Sequence, residues 1–137
     1  MEDVVTVNKL DFSEVKKDID LTTAQNLSER CLNCKNPRCV SGCPLGINIP
    51  EFISLIKEGK YEEAYEKISE KSVMPEVCGR VCPQEKTCQA KCIRGFNGES
   101  VRIGDLERFA SNYKKEITNI KENGKKVAVI GSGPASL

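Results

Sequence analysis

The sequence contains no histidine and no tryptophan, and only three tyrosines and four phenylalanines. The first absence excludes a metal site of mixed cysteine and histidine composition. The scarcity of rings, 5% of 137 residues, limits the core that the chain can build, so much of its folding energy is expected to come from a bound cofactor. Neither sign of charge dominates: 21 lysines and arginines stand against 20 acidic residues, a formal net charge of +1. That balance excludes the broad basic surface that nucleic acid or an anionic membrane demands. No apolar run approaches the roughly 18 residues of a membrane span. Met1-Glu2-Asp3 is followed by neither a basic nor an apolar stretch, so no secretory signal is read there. These absences predict a soluble, cytoplasmic protein.

Cysteine is what the chain has in abundance. Eight fall into two tight runs, Cys31, Cys34, Cys39, Cys43 and Cys78, Cys82, Cys88, Cys92, each crossing a Cys-Pro step, at Cys43-Pro44 and Cys82-Pro83. A cubane iron–sulfur cluster needs several thiolates converging on one small volume, and short intervals let a loop or one helical turn supply them. The bacterial ferredoxin run also ends in Cys-Pro, and its last cysteine serves the neighbouring cluster; the first run here has two more residues in its middle gap. Four disulfides would need an oxidising compartment, which the N-terminus does not announce. Two zinc sites of four thiolates each would also use all eight thiols, but zinc usually pairs two knuckles across a gap, whereas each run already offers four thiolates within about fifteen residues.

Along the chain, residues 1–21 read as an arm or an edge strand. Thr22 or Thr23 is a plausible N-cap for a helix over Ala24 to Arg30 that delivers Cys31, and Cys31 to Pro44 reads as a ligand loop. Asn48 or Ile49 then caps a helix with Pro50 in its first turn and an apolar face of Phe52, Ile53, Leu55 and Ile56; Gly59 stops it. Tyr61, Ala64, Tyr65 and Ile68 recur at helical spacing, so a hairpin separates the two runs. The second run echoes the first, Cys78-Gly79-Arg80-Val81-Cys82-Pro83 after Cys39-Val40-Ser41-Gly42-Cys43-Pro44, which predicts two similar half-sites. Gly95 and Gly98 form a turn, and Ile103, Leu106, Phe109 and Ala110 mark one more helix. A two-cluster domain over 22–117 is followed by a charged linker, 118–126.

Residues 127–137 begin with Val127-Ala128-Val129-Ile130, an apolar strand, and continue with Gly131-Ser132-Gly133-Pro134-Ala135. A glycine turn directly after a strand opens a dinucleotide-binding β-α-β unit, in which glycine lets the backbone approach a pyrophosphate. Gly131, Gly133, Pro134 and Ala135 are the candidate contacts. Ser136 stands where the fingerprint has Gly or Ala, and the helix, second strand and ribose-binding acid do not follow. The expectation is the leading part of a longer flavoprotein.

With both runs, the hairpin, Ile103-Gly104-Asp105-Leu106-Glu107-Arg108-Phe109 and the final glycine turn in view, residues 22–137 resemble a known module. It is the N-terminal iron–sulfur domain of the small subunit of NADPH-dependent glutamate synthase, shared with dihydropyrimidine dehydrogenase and NADH-dependent ferredoxin:NADP oxidoreductase. The resemblance implies a mainly α fold of the alpha-helical ferredoxin type holding two [4Fe–4S] clusters. One would be bound by Cys31, Cys34, Cys39 and Cys92, the other by Cys43, Cys82, Cys88 and Glu107, leaving Cys78 a non-ligand. Spacing alone favours Cys78, since thiolate is the usual ligand. The resemblance further implies an electron relay from a flavin, FAD reduced by NAD(P)H in the following domain, to a partner that is glutamate synthase large-subunit-like or ferredoxin-type. No acid–base pair or nucleophile complete enough for catalysis is visible in these residues. A zinc-stabilised subunit-docking module without redox activity is the alternative.

Overall fold

The computed structural model describes residues 13–14, 17–114 and 122–133. Among them the chain is mainly helical, with no strand: α1 (Leu21–Glu29), α2 (Arg38–Gly42), α3 (Ile49–Lys57), α4 (Tyr61–Ser69), α5 (Pro75–Val81) and α6 (Ile103–Ser111). Two 3-10 turns, Gln89–Lys91 and Ile93–Phe96, lie between α5 and α6. The N-cap of α1 is Asp20 rather than Thr22 or Thr23; its carboxylate accepts the Thr23 N–H at 2.7 Å. A carboxylate there both satisfies an orphan donor and meets the positive end of the helix dipole, which a hydroxyl does not do. The stretch read as a ligand loop contains a helical turn, α2.

The predicted hairpin is present. Pro50 occupies the first turn of α3, Gly59 takes a positive φ of 78° just after it, and α4 begins at Tyr61. Phe52, Ile53 and Ile56 face Ala64 and Ile68 across the pair, all buried. The Tyr61 ring meets Phe109 edge-on with centroids 5.4 Å apart and lies 4.8 Å from Tyr113, so rings fasten the hairpin to α6.

Helix α6 is the centre of the molecule: all nine of its residues are buried. Its apolar stripe, Ile103, Leu106, Phe109 and Ala110, is the one the spacing predicts, but Asp105, Glu107 and Arg108 are buried as well. Helix α5 packs against the polar side. A Cβ on Gly79 would stand 2.9 Å from the Arg108 backbone, so this crossing requires glycine. Arg108 is paired with Glu14 and, at 2.5 Å, with Asp18, while Glu14 also accepts from Arg80 at 2.8 Å. Glu14 and Asp18, in the segment read from sequence as an arm or an edge strand, therefore close over the α5–α6 pair.

The expected Val127–Ile130 strand is not formed among the described residues. Val127 is 85% and Ile130 97% exposed, and nothing described pairs with them, so no ladder of hydrogen bonds can define a strand. Gly131 has a φ of 119°, as a glycine turn requires, and both Gly131 and Gly133 face open space where a Cβ would be. Pro134, Ala135, most of the arm and residues 118–121 of the charged linker lie outside the described residues.

Gly79→Ala is expected to destabilise the domain by about 1–3 kcal/mol by overpacking the α5–α6 crossing. A lower midpoint in thermal unfolding followed by circular dichroism checks it; an unchanged or higher midpoint would contradict the close packing.

Candidate metal centre

Cys31, Cys43, Cys82 and Cys92 stand where a helix or 3-10 turn stops. Cys31 lies just past α1, its N–H bonded to the Ser28 carbonyl at 3.0 Å. Asn33, at a positive φ of 46°, turns the chain so that Cys34 comes back towards Cys31; asparagine tolerates that conformation better than most residues. Cys39 sits in the first turn of α2, and Cys43 is its C-cap with an extended ψ of 123°. Cys78 is within α5 and Cys82 is its C-cap, at ψ 133°. Cys92 ends the first 3-10 turn at ψ 128°. For Cys43 and Cys82 the cause is the following proline, whose ring disfavours helical geometry at the residue before it. In an unbroken helix Cys39 and Cys43 would share a face. The Cys-Pro step turns Cys43 away instead.

The eight thiols consequently surround two cavities. Cys31, Cys34, Cys39 and Cys92 line one, beside Arg38 and Arg94. Cys43, Cys78, Cys82, Cys88 and Glu107 line the other, a cavity of about 240 Å3 with Phe52 in its wall. Ile49 and Ile103 belong to both walls, so the two sites stand back to back. All eight cysteines are free thiols.

Burial governs the protonation of these groups. Desolvation pushes the Cys39 thiol up to about 11 and Cys88 up to about 12, and it raises Cys31 and Cys82 as well. Desolvation also pushes the Glu107 carboxyl up to about 7. One Glu107 oxygen is buried without a hydrogen-bond partner among the described residues. An orphaned carboxylate oxygen facing a ring of thiols is unfavourable unless a cation meets it. Cys78, by contrast, has a neighbour: the Ser72 hydroxyl donates to its sulfur at 3.6 Å.

The donor set fits an iron–sulfur cluster better than a single ion. Zinc would need four donors about 2.3 Å from one point. No group of three His, Cys, Asp or Glu among the described residues is gathered tightly enough to hold one metal ion. Thiols ringing a cavity suit a polynuclear body of iron and sulfide.

A family model described as dihydropyrimidine dehydrogenase domain II, 4Fe-4S cluster, matches residues 8–119. The chain belongs to this iron–sulfur domain family. The glutamate synthase (NADPH) small chain of Escherichia coli K12 is 36% identical over 137 residues, covering 96% of this chain and 29% of the relative. The small chain of Azospirillum brasilense is 36% identical over 135 residues, with coverages of 93% and 28%. That of Mycobacterium tuberculosis H37Rv is 34% identical over 133 residues, with coverages of 93% and 27%. The chain thus spans less than a third of the length of these relatives. As a member of a 4Fe-4S family related to oxidoreductases, it has an electron-transfer role.

Gln84 was not legible as part of the site. Its side-chain N–H donates to the Cys78 carbonyl at 3.0 Å, it lines the second cavity, and it fills the space that a Cβ on Gly104 would take. No local pattern in the sequence distinguishes it from an exposed loop glutamine.

The Glu107 shift has a definite sign. Its folded value lies above the usual 4.5, so without a bound cation its contribution to stability is present below about 4.5 and lost as pH rises through about 7. A bound cation reverses the preference by demanding the carboxylate. Anaerobic cluster loading at pH 6 is therefore expected to release about one more proton from the wild type than from Glu107→Gln, and equal numbers at pH 8.5. Indicator-dye titration reads the difference; equal release at pH 6 would mean that Glu107 does not ionise on loading.

Proposed function

We propose that this chain holds two [4Fe–4S] clusters and relays electrons between an NAD(P)H-reduced flavin and a partner redox site, as part of a longer oxidoreductase of the glutamate synthase small-subunit type. The observation that carries this reading is the pair of cysteine-lined cavities sharing Ile49 and Ile103 as a common wall. Two sites one side chain apart suit stepwise passage of electrons through the domain. When bound, each cluster supplies one-electron storage and transfer at a potential set by its ligands, nearby charge and solvent exposure.

The residues of the chain supply binding and environment. Cys31, Cys34, Cys39 and Cys92 hold one cluster. Cys43, Cys82 and Cys88 hold the other, with Glu107 as the fourth donor and Cys78 outside the ligand set. The orphaned Glu107 oxygen supports that choice. A carboxylate in place of a thiolate alters the site's charge distribution and hence its potential. Phe52, Ile49 and Ile103 keep water from the inner walls, so ligand charge and hydrogen bonds act at low dielectric. In the longer protein, FAD would sit in a domain opening at Val127, with Gly131, Gly133, Pro134 and Ala135 at its dinucleotide turn. The partner would be a large-subunit-like or ferredoxin-type redox protein, with neither nucleic acid nor membrane involved, in the cytoplasm. No helix among the described residues is long and apolar enough to cross a membrane.

Anaerobically prepared protein is expected to contain about eight iron and eight acid-labile sulfide per chain, as two cubanes require. Two zinc ions and no visible absorbance would instead establish a zinc-stabilised docking module. For the ligand assignment, Glu107→Ala should alter the electron paramagnetic resonance signal of one cluster while Cys78→Ser leaves both signals unchanged. The opposite pattern would reject Glu107.

A further inference from the structure

The formal net charge of +1 conceals an uneven distribution. Leu32, Arg38, Ile93 and Arg94 line the Cys31, Cys34, Cys39 and Cys92 cavity, and Lys35 and Lys91 flank its Cys34 and Cys92 in the chain, the Lys91 stem lying against Gly42; all four cations are exposed. None of these four is paired with a carboxylate among the described residues. Arg38 lies over the Phe96 ring at 5.2 Å, and the Arg94 Nε–H donates to the Arg30 carbonyl at 3.0 Å. Glu99, the acid of this side, is taken up by Arg30 at 3.7 Å. Between the cations stand exposed apolar side chains: Leu32 at 53%, Ile93 at 49% and Phe96 at 64% exposure.

The other cavity has no such rim. Arg80 is paired with Glu14 and Lys114 with Glu76, which leaves Lys86, next to the lining residue Thr87, as a single exposed cation on that side. Cations held apart from carboxylates, around an apolar centre, are arranged for a surface of opposite charge. Arginine and aromatic residues at the middle of such a patch are also the side chains that supply most binding energy in protein interfaces.

We propose that this face, over the Cys31, Cys34, Cys39 and Cys92 site, docks an acidic redox protein whose contact surface is rimmed with carboxylates, and that electrons cross here. The proposal deepens the relay reading and rests on it, since it assigns the Cys92 side of the domain as the side facing the partner. The cations draw the partner in and orient it. Leu32, Ile93 and Phe96 exclude water at the point of closest approach.

Two probes test it on the cluster-loaded chain. The first is the Lys35→Glu/Lys91→Glu double variant, which keeps every proposed ligand and both cavity-lining arginines. Each ferricyanide takes one electron from dithionite-reduced protein and leaves as ferrocyanide; each hexaammineruthenium(III) takes one and leaves as ruthenium(II). In stopped-flow measurements at low salt the variant should be slower towards the anion by about tenfold and no slower towards the cation, a contrast that vanishes at high salt. Equal effects on both oxidants, or none, would overturn the proposal.

The second probe is zero-length carbodiimide cross-linking to an acidic plant-type [2Fe–2S] ferredoxin, mapped by mass spectrometry. Joining at Lys35 and Lys91, suppressed by salt, is expected. Cross-links concentrated at Lys60, Lys67, Lys71 or Lys86, or none at all, would overturn it. Iron and sulfide content separates this failure from that of the relay reading: a chain without iron sinks the relay, whereas the cross-link map still judges the face.

Discussion

Neither ring of thiols is local in the chain. Cys92 completes a set begun at Cys31, and Cys43 leaves its own run to join Cys78, Cys82 and Cys88 around the second cavity. Everything else in the structure serves this crossing. The two cysteine segments must lie side by side, so the chain between them has to go out and return, and the α3–α4 hairpin is that excursion. The Cys-Pro steps end α2 and α5 where the next sulfur has to change direction. Since each site draws on both halves, filling either one couples distant segments, and cofactor binding becomes folding energy for a chain with a small core.

Helix α6 is the wall against which this is built, and it is unusual in burying acids and a base together with its apolar stripe. Placing charge in the interior is unfavourable unless it is matched. Asp105 is matched by Arg102, and Arg108 by Glu14 and Asp18. Glu107 stands apart, with an unmet oxygen and a carboxyl raised by desolvation alone. A single helix thus carries both a matched charge, which fastens the N-terminal segment, and an unmatched one facing the thiols. The neighbouring positions 107 and 108 point to opposite surroundings because a helix turns about 100° per residue.

Charge tells a similar story on the outside. An overall balance of positive and negative residues is a statement about the sum, and it correctly gives no reason to expect a surface basic throughout. The structure sorts that sum. Most described acids are used in pairs with nearby lysines and arginines, while Lys35, Arg38, Lys91 and Arg94 have no carboxylate partner among the described residues. Local potential depends on which side chains the fold brings within a Debye length, and composition carries no such information.

Much of the architecture was legible before any coordinates. The α3–α4 hairpin and the apolar stripe of α6 followed from helical spacing and from Pro50 and Gly59, because periodicity and backbone-restricting residues act over a few positions. The cysteine spacing and Cys-Pro steps carried the iron–sulfur chemistry for the same reason: these constraints are local. The Asp20 cap was missed in favour of two threonines equally suited by type, and Val127–Ile130, read as the first strand of a longer unit, has no pairing strand among the described residues. By itself, the sequence determined which groups are available and where helices begin and end. Only the tertiary structure decided which thiols share a cavity, that Glu107 is buried with an oxygen unmet among the described residues, and that Arg38 and Arg94 at the Cys31 site have no carboxylate partner there. Burial, desolvation and charge proximity are properties of residues brought together from far apart, and no local pattern encodes them.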